Sequence, residues 1–222
     1  RLYLCNDTDS VKKTMESSCF KHEWFGSLGN AFFKMIYIID NFLSKSLLTD
    51  LNSKLIDFEG INVGNKIFYT IPPETSFVKY MALRLTEYEN ADVENVLAFF
   101  RQSTDKLDTD WRIHSDSKIE GDQPDRALVL YLSSDIKKEL HGTAFWSHEK
   151  YGDKLPEISN KEFDRLLIED SNDKSKWDLK SVIGYKQNRL ISYPCSYFHS
   201  KYPNKSWKQG RNIFVMFYKI KK

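Results

Sequence analysis

The chain has 222 residues, of which 41% are hydrophobic and 14% are aromatic, so it can bury a core and is not a disordered protein. Its 33 basic and 31 acidic residues are scattered along the sequence and leave a net charge of +2, which gives no electrostatic footprint for nucleic acid or an anionic membrane surface. The longest uninterrupted apolar run, Ile213 to Tyr218, is far shorter than the ~20 residues that cross a bilayer.

The first elements that the sequence predicts are a short strand and two helices. Met35 to Ile39 is a β-prone apolar run. Ser44 has the residue type of a helix N-cap, and leucines 47, 48, 51 and 55 follow it with the spacing of one apolar helix face. After a Gly-, Asn- and Pro-rich stretch from Gly60 to Pro73, the apolar residues between Phe77 and Leu85 predict a second helix.

The second half of the chain is dominated by strand patterns. Val96 to Arg101 is ambiguous between helix and strand, and we favour a strand because residues 106–110 then form a turn into a further strand, Trp111 to Asp116. Four more predicted strands cover residues 127–133, 142–146, 189–193 and 211–218. The long polar segment Ser147 to Gln187 is predicted as an insertion with a helix near Phe163, and as a functional lid.

Helices followed by many short strands predict a mainly β, α+β fold. The last strand carries Ile213 and Val215 on one face and Phe214 and Met216 on the other, so its sheet is expected to be covered on both sides. The helices form one cover and a second sheet the other, which gives a jelly-roll (double-stranded β-helix) core. We predict a single domain over residues 1–222, with a helical buttress and first strands in 36–110 and the jelly-roll core in 111–220.

A His-x-Asp pair and a distant histidine form the strongest chemical pattern. His114 and Asp116 are two apart at the end of a predicted strand, so both side chains point to one face. With His199 they make a two-His, one-carboxylate set, the arrangement used by non-haem Fe(II) oxygenases. Three such ligands leave three positions on an octahedral ion, two for a 2-oxo acid and one for dioxygen.

The order of these segments resembles the 2-oxoglutarate/Fe(II)-dependent oxygenase superfamily, in particular its prolyl-hydroxylase-like branch and a bacterial and phage subgroup of it. The likeness covers roughly residues 36–220 and rests on these stretches: Asp40–Leu43, His114–Asp116, Arg126–Ser133, His141–His148, Asn188–Ser200 and Gly210–Tyr218. The resemblance implies that His114, Asp116 and His199 hold Fe(II). It also implies that Arg211 pairs with the far carboxylate of the co-substrate 2-oxoglutarate.

Two further residues are candidates for the co-substrate site. Tyr131 shares a strand face with Ala127 and Val129, and Thr143 opens the following strand. Where some relatives carry a Ser or Thr two residues after the arginine, this chain has Ile213, so a hydroxyl there would come from Tyr131 or Thr143. A second departure is His141, which stands where the branch often has glycine.

By this resemblance the chain is expected to be a dioxygenase that hydroxylates a C–H bond of a protein side chain or small molecule, with release of succinate and CO2. A cupin-like metal-dependent isomerase or hydrolase and a non-catalytic jelly-roll binding module are the alternatives. His141 and His148 are expected on the surface or in loops, and Cys195 in the core. An odd number of cysteines without a CxxC pair, and no signal-peptide pattern in residues 1–7, predict a reduced, cytoplasmic protein. No nucleic-acid or membrane partner is expected.

Overall fold

A computed structural model describes residues 36–63, 66–108, 110–119, 121–134, 141–203 and 210–221. Residues 1–7, which include Cys5, together with Cys19, Met35 and Thr109 of the predicted turn, lie outside these ranges. The strands are β1 (Tyr37–Ile39), β2 (Glu59–Val63), β3 (Lys66–Ile71), β4 (Val93–Ser103), β5 (Arg126–Tyr131), β6 (Gly142–His148), β7 (Trp177–Gly184), β8 (Leu190–Pro194), β9 (His199–Tyr202) and β10 (Arg211–Ile220). The α-helices are α1 (Lys45–Lys54), α2 (Thr75–Glu89) and α3 (Asn160–Arg165), and a π-helical turn (Leu166–Asp170) and a 3-10 turn (Lys174–Lys176) follow α3.

The strands form two antiparallel sheets. The large sheet has seven strands in the order β1-β8-β5-β10-β4-β3-β2, and the small sheet has the order β7-β6-β9. The side chain of Ser44 accepts a hydrogen bond from the backbone N–H of Leu47, so the predicted N-cap of α1 is confirmed. The predicted fold class, mainly β with helices near the start of the described chain, is also confirmed.

The large sheet is apolar on both faces, as the pattern of β10 predicted. Its outer face packs against α1 and α2 in a cluster that includes Leu51, Met81, Leu130, Phe214 and Met216. Its inner face packs against the small sheet, and this inner cluster consists of Ala127, Val129, Tyr131, Phe145, Ile183, Ile191, Tyr193, Cys195, Ile213, Val215 and Phe217. Cys195 is therefore a core residue, as expected.

The connection between β6 and β7 covers the outer face of the small sheet. Its residues Leu155 and Leu166 join Trp146, Trp177 and other residues in a third cluster, which also contains Ile113, Ala144 and Phe198. This face is opposite to the one that carries Thr143 and Phe145, because side chains alternate along a strand. The packing favours a structural role for these residues over the lid predicted from the polarity of the segment.

Several elements differ from the sequence predictions. The stretch from Gly60 to Pro73 contains the β2–β3 hairpin, and the segment predicted as an insertion contains β7. Residues 111–116 are not a strand, because their only ladder contact is an isolated antiparallel bridge between His114 and His199. His199, which lies outside the predicted strands, begins β9. Within the ranges given above, no helix is long and apolar enough to cross a membrane.

Candidate metal centre and co-substrate pocket

Two histidines from distant parts of the chain lie side by side at the edge of the small sheet. The backbone N–H of His114 donates to the backbone oxygen of His199 at 3.0 Å, and the reverse hydrogen bond measures 2.9 Å. Their ring centroids are 4.5 Å apart. The backbone N–H of Asp116 donates to the backbone oxygen of Cys195, so a second bond joins the two segments. Backbone pairing, not side-chain packing alone, thus brings the three predicted ligands together.

Both imidazole rings are held in the same way. Nδ1 of His114 lies 2.8 Å from the backbone oxygen of Arg112, and Nδ1 of His199 lies 3.0 Å from that of Tyr197. A carbonyl oxygen accepts only, so each Nδ1 carries the proton and donates it. This leaves the lone pair on each Nε2 available, which is the arrangement typical of histidine ligands to a metal ion.

The Asp116 carboxylate faces both Nε2 atoms. Its two oxygens lie 3.6 Å from Nε2 of His114 and 3.2 Å from Nε2 of His199. One ligand atom from each of the three residues lies within 4.8 Å of the other two. Two imidazole nitrogens and one carboxylate suit Fe(II) and other first-row divalent ions, so the donor set fits the iron that the resemblance implies.

Burial and mutual charge set the protonation of the three side chains. Burial, reinforced by the nearby His199, lowers the pKa of His114 to about 4, so this ring is neutral at pH 7. Burial alone would raise the pKa of the Asp116 carboxyl, but His199 and then His114 outweigh it and hold this pKa below its usual range. Burial would lower the pKa of His199, yet the Asp116 carboxylate raises it above its usual value.

The three residues predicted for the co-substrate lie together on the inner face. Arg211 is 4% exposed, and its guanidinium carbon lies 5.5 Å from the ring centroid of Tyr131. The hydroxyl of Tyr131 and Oγ1 of Thr143 are 2.8 Å apart, so β5 of the large sheet is joined to β6 of the small sheet. An arginine at the start of a buried strand therefore points between the sheets, beside two hydroxyl groups.

Only glycine fits at position 142, directly before Thr143. A Cβ atom added at Gly142 would lie 1.9 Å from the backbone oxygen of Ile183 on β7, which no side chain can tolerate. Glycine thus lets β6 and β7 approach closely where β6 begins. This approach places Thr143 opposite Tyr131.

Two further residues, Tyr185 and Lys201, lie beside Tyr131 and Thr143 and were not predicted from the sequence. Tyr185 stacks on Tyr131 with ring centroids 4.5 Å apart, and it follows β7, which was not predicted as a strand. Lys201 lies on β9 directly opposite Thr143. Burial lowers the pKa of Lys201 to about 7, Asp108 opposes this shift, and the charges of Arg101 and Arg211 add to it. Strand alternation two residues after His199 was the available signal, but it required β9 to be known.

The two other histidines are both buried. His141 is 5% exposed and lies before β6, outside any strand, so it holds a loop position but not a surface one. His148 is 3% exposed and lies on β6, so the expectation of a surface or loop position is wrong for it. His148 ends β6 opposite Trp177, and its Nε2 lies 3.3 Å from Oδ2 of Asp170 in the π-helical turn. It is buried because the connection between β6 and β7 folds over it.

Several solved structures have the same architecture as this chain, and the three named here are similar to it at low sequence identity. HygX from Streptomyces hygroscopicus, crystallised with nickel, 2-oxoglutarate and hygromycin B, has a TM-score of 0.56 at 13% identity, over 85% of this chain and 84% of its own. The non-heme alpha ketoglutarate dependent carbocyclase SnoK, from nogalamycin biosynthesis, has a TM-score of 0.55 at 15% identity, over 86% and 84% of the two chains. An oxidoreductase of the 2OG-Fe(II) oxygenase family from Burkholderia pseudomallei has a TM-score of 0.51 at 10% identity, over 83% and 84%.

These likenesses confirm the predicted double-stranded β-helix fold. No family model matches the sequence, and a search of curated proteins returns no match. At such low identity the solved structures are informative about the fold alone, and chemistry has to be argued from the site.

Proposed function

We propose that the chain is a non-haem Fe(II)- and 2-oxoglutarate-dependent dioxygenase. Its reaction would hydroxylate a C–H bond of a protein side chain or small molecule and release succinate and CO2. The observation that carries this proposal is the pair of histidines, His114 and His199, whose Nδ1 atoms donate to backbone oxygens while both Nε2 atoms face Asp116. This is a prepared ligand set in a fold that in HygX accompanies bound nickel and 2-oxoglutarate.

The proposed iron ligands are His114, Asp116 and His199. When bound with 2-oxoglutarate and dioxygen, Fe(II) supplies the oxidising chemistry, in which the 2-oxo acid loses CO2 and one oxygen atom goes to the substrate. The task of the protein residues is to fix the ligand positions before the ion binds. The mutual backbone hydrogen bonds of His114 and His199 serve this task, because they fix the separation of the two backbone positions from which the rings extend. The bonds from each Nδ1 to a backbone oxygen then orient the rings.

The proposed co-substrate residues are Arg211, Tyr131 and Thr143. A guanidinium group presents two parallel N–H donors to a carboxylate, and Arg211 is buried between the sheets beside the ring of Tyr131, which supports its role in binding the far carboxylate of a dicarboxylic 2-oxo acid. The Tyr131 hydroxyl, already 2.8 Å from Oγ1 of Thr143, is available as a further donor. Burial raises the pKa of Tyr131, so its hydroxyl keeps the proton that it would donate.

Apolar residues of both sheets surround these polar groups. Phe145, Ile183 and Ile213 belong to the inner cluster together with Tyr131. A carboxylate–guanidinium pair is stronger in such a water-poor setting than at the surface. The surroundings therefore favour tight and selective binding of a dicarboxylate over a monocarboxylate.

The test is anaerobic binding of Fe(II) and 2-oxoglutarate, followed by succinate release in the presence of dioxygen and candidate substrates. Stoichiometric binding of both ligands is expected, with succinate formed in proportion to modified substrate. Binding of a divalent ion without 2-oxoglutarate would favour the isomerase or hydrolase. Binding of neither would favour the non-catalytic module.

SnoK, which has the same fold, is described as a carbocyclase, so closure of a ring in the substrate is a second outcome to be tested. The mass of the product distinguishes the two outcomes, since hydroxylation adds one oxygen atom and ring closure removes two hydrogens.

The cytoplasmic location stays a prediction from the cysteine content, because Cys5 and Cys19 lie outside the described residues.

A further inference from the structure

Lys201 points to the same space between the sheets as the proposed co-substrate residues. It lies on β9 directly opposite Thr143 of β6 in the antiparallel ladder. Residues directly opposite each other in such a ladder have their side chains on the same face, with Cβ atoms about 4.5–5.5 Å apart. Thr143 in turn lies beside the hydroxyl of Tyr131, and Tyr131 beside Arg211. One continuous set of contacts therefore leads from Lys201 to Arg211.

The ammonium group of Lys201 has no carboxylate partner of its own among the described residues. It donates to the backbone oxygen of Asp108 at 2.7 Å. The carboxylate of Asp108 is already engaged, because Nε and one terminal nitrogen of Arg101 donate to its two oxygens at 2.5 and 2.6 Å. An ammonium group has three N–H donors, so Lys201 keeps donors for a further acceptor.

Two neighbouring guanidinium groups add to the positive charge around Lys201. The charges of both Arg101 and Arg211 act on it. Arg101 is neutralised by Asp108, whereas Arg211 lies on the large sheet and Lys201 on the small sheet. Two buried or half-buried basic groups that come from facing sheets and act on each other's charge favour an anion between them.

We propose that Lys201 is a second basic residue of the co-substrate pocket, which binds the same carboxylate of 2-oxoglutarate that Arg211 binds. This rests on the proposed function and extends it by a residue on the strand of the distal histidine. Lys201 keeps its bond to the backbone oxygen of Asp108, which orients the side chain, and donates a second N–H to the carboxylate. The pocket thus clamps the far end of the co-substrate from both sheets and selects for a dicarboxylate.

The test is a calorimetric titration of the Mn(II)-loaded protein with 2-oxoglutarate and, separately, with 2-oxobutyrate, which lacks the second carboxylate. In Lys201→Met we expect 2-oxoglutarate to bind about tenfold or more weakly, as for one lost member of a charge pair, while 2-oxobutyrate binds as in the parent. Lys201→Arg should bind 2-oxoglutarate more tightly than Lys201→Met. Lys221→Met is the matched control, because Lys221 is exposed and its ion pair with Glu94 lies far along β4 from this pocket.

Lys201→Gln is a second variant in case Lys201→Met fails to fold. Its side-chain amide N–H can still donate to the backbone oxygen of Asp108, so it removes the charge and keeps this hydrogen bond. Unchanged 2-oxoglutarate affinity in both Lys201→Met and Lys201→Gln would overturn the proposal. The role of Lys201 would then be structural, through its hydrogen bond from β9 to the backbone oxygen of Asp108. Equal weakening for 2-oxoglutarate and 2-oxobutyrate would also overturn it, because the loss would not involve the second carboxylate. If the parent protein binds Mn(II) but neither acid, the proposed function itself fails.

Discussion

The backbone N–H of Ile113 donates to the backbone oxygen of Ser171 at 3.0 Å. This bond joins the end of the π-helical turn to the residue that precedes His114. The side chain of Ile113 enters the third cluster with Leu166 and with Phe198, the residue before His199. π-Helical turns occur often near functional sites. The connection between β6 and β7 therefore supports both histidine segments from behind the small sheet.

Leu166→Ala tests this support. We expect the free energy of unfolding to fall by about 2–5 kcal/mol, because the substitution leaves a cavity in the third cluster. Loss of a group that supports metal ligands typically costs 10- to 100-fold in affinity, so we expect Mn(II) to bind about tenfold more weakly. Denaturant unfolding gives the first quantity and titration by electron paramagnetic resonance gives the second.

Ile168 offers the matched control in the same turn. It is 76% exposed, whereas Leu166 is 1% exposed, so Ile168→Ala should change neither stability nor metal affinity. A Leu166→Ala protein that is destabilised but binds Mn(II) as tightly as the parent would limit this segment to a role in stability.

Asp116→Ala removes the carboxylate that faces both Nε2 atoms. We expect Mn(II) or Fe(II) affinity to fall by more than about 100-fold, since a ligand contributes more than its supporting groups do. The backbone bridge between His114 and His199 does not involve the side chain, so the circular dichroism spectrum should be that of the parent. Asp122→Ala, at an exposed ion pair, is the control. Parental metal affinity in Asp116→Ala would exclude this cluster as the metal centre.

Metal affinity is expected to depend on pH through His199. Its pKa is raised above the usual value by the Asp116 carboxylate, so below that pKa an ion must displace a proton from Nε2. Affinity for Mn(II) should be constant above the pKa and fall about tenfold per pH unit below it. His114, with a pKa of about 4, adds no dependence near neutral pH. A fall that corresponds to two protons just below neutrality would contradict the neutral state of His114.

The sequence was sufficient to predict the positions of residues that depend on local periodicity. Alternation along β10 separated Ile213 and Val215 from Phe214 and Met216, and the structure places the first pair on the inner face and the second pair on the outer face. The Ser44 cap and the leucine stripe of α1 are equally local. His114, Asp116 and His199 were grouped by their chemistry, and the structure brings the three together.

Elements stabilised mainly by backbone hydrogen bonds were missed. The edge strand β2 is exposed along its whole length, and β7 has a run of four exposed residues, so neither has the alternation that reveals a half-buried strand. His148 was misplaced because its burial depends on Asp170, which reaches it only through the folded connection. Lys201 was missed because its direction depends on the register between β9 and β6. Such long-range pairing is not visible in local sequence patterns.

A buried ion pair supports the large sheet away from the site. Nε of Arg126 lies 3.0 Å from Oε1 of Glu89, and both side chains are almost fully buried. We expect Arg126→Met to lower the free energy of unfolding by about 3–5 kcal/mol, because it leaves the Glu89 charge buried without its cation. The double variant with Glu89→Leu should lose less than Arg126→Met alone. Lys219→Met, at an exposed pair, should cost no more than about 1 kcal/mol. A double variant that loses more than the single variant would contradict this account.

Arg211 provides the most direct test of the co-substrate pocket. The side chain is buried, and burial lowers its pKa, so it gains most from a carboxylate that replaces lost water. Truncation of one partner of such a charge pair costs about 2–5 kcal/mol, so Arg211→Ala should weaken 2-oxoglutarate binding roughly 30-fold or more. Arg211→Lys should recover only part of the loss, because an ammonium group supplies the charge without the two parallel donors.

The affinity for Mn(II) should stay that of the parent in both variants, since the metal ligands lie on other segments. Calorimetry of the Mn(II)-loaded proteins measures the 2-oxoglutarate affinity, and titration of the metal-free proteins with Mn(II) measures the metal affinity. Arg211→Ala protein that binds 2-oxoglutarate like the parent would remove the co-substrate role of Arg211 and favour a metal-dependent isomerase or hydrolase.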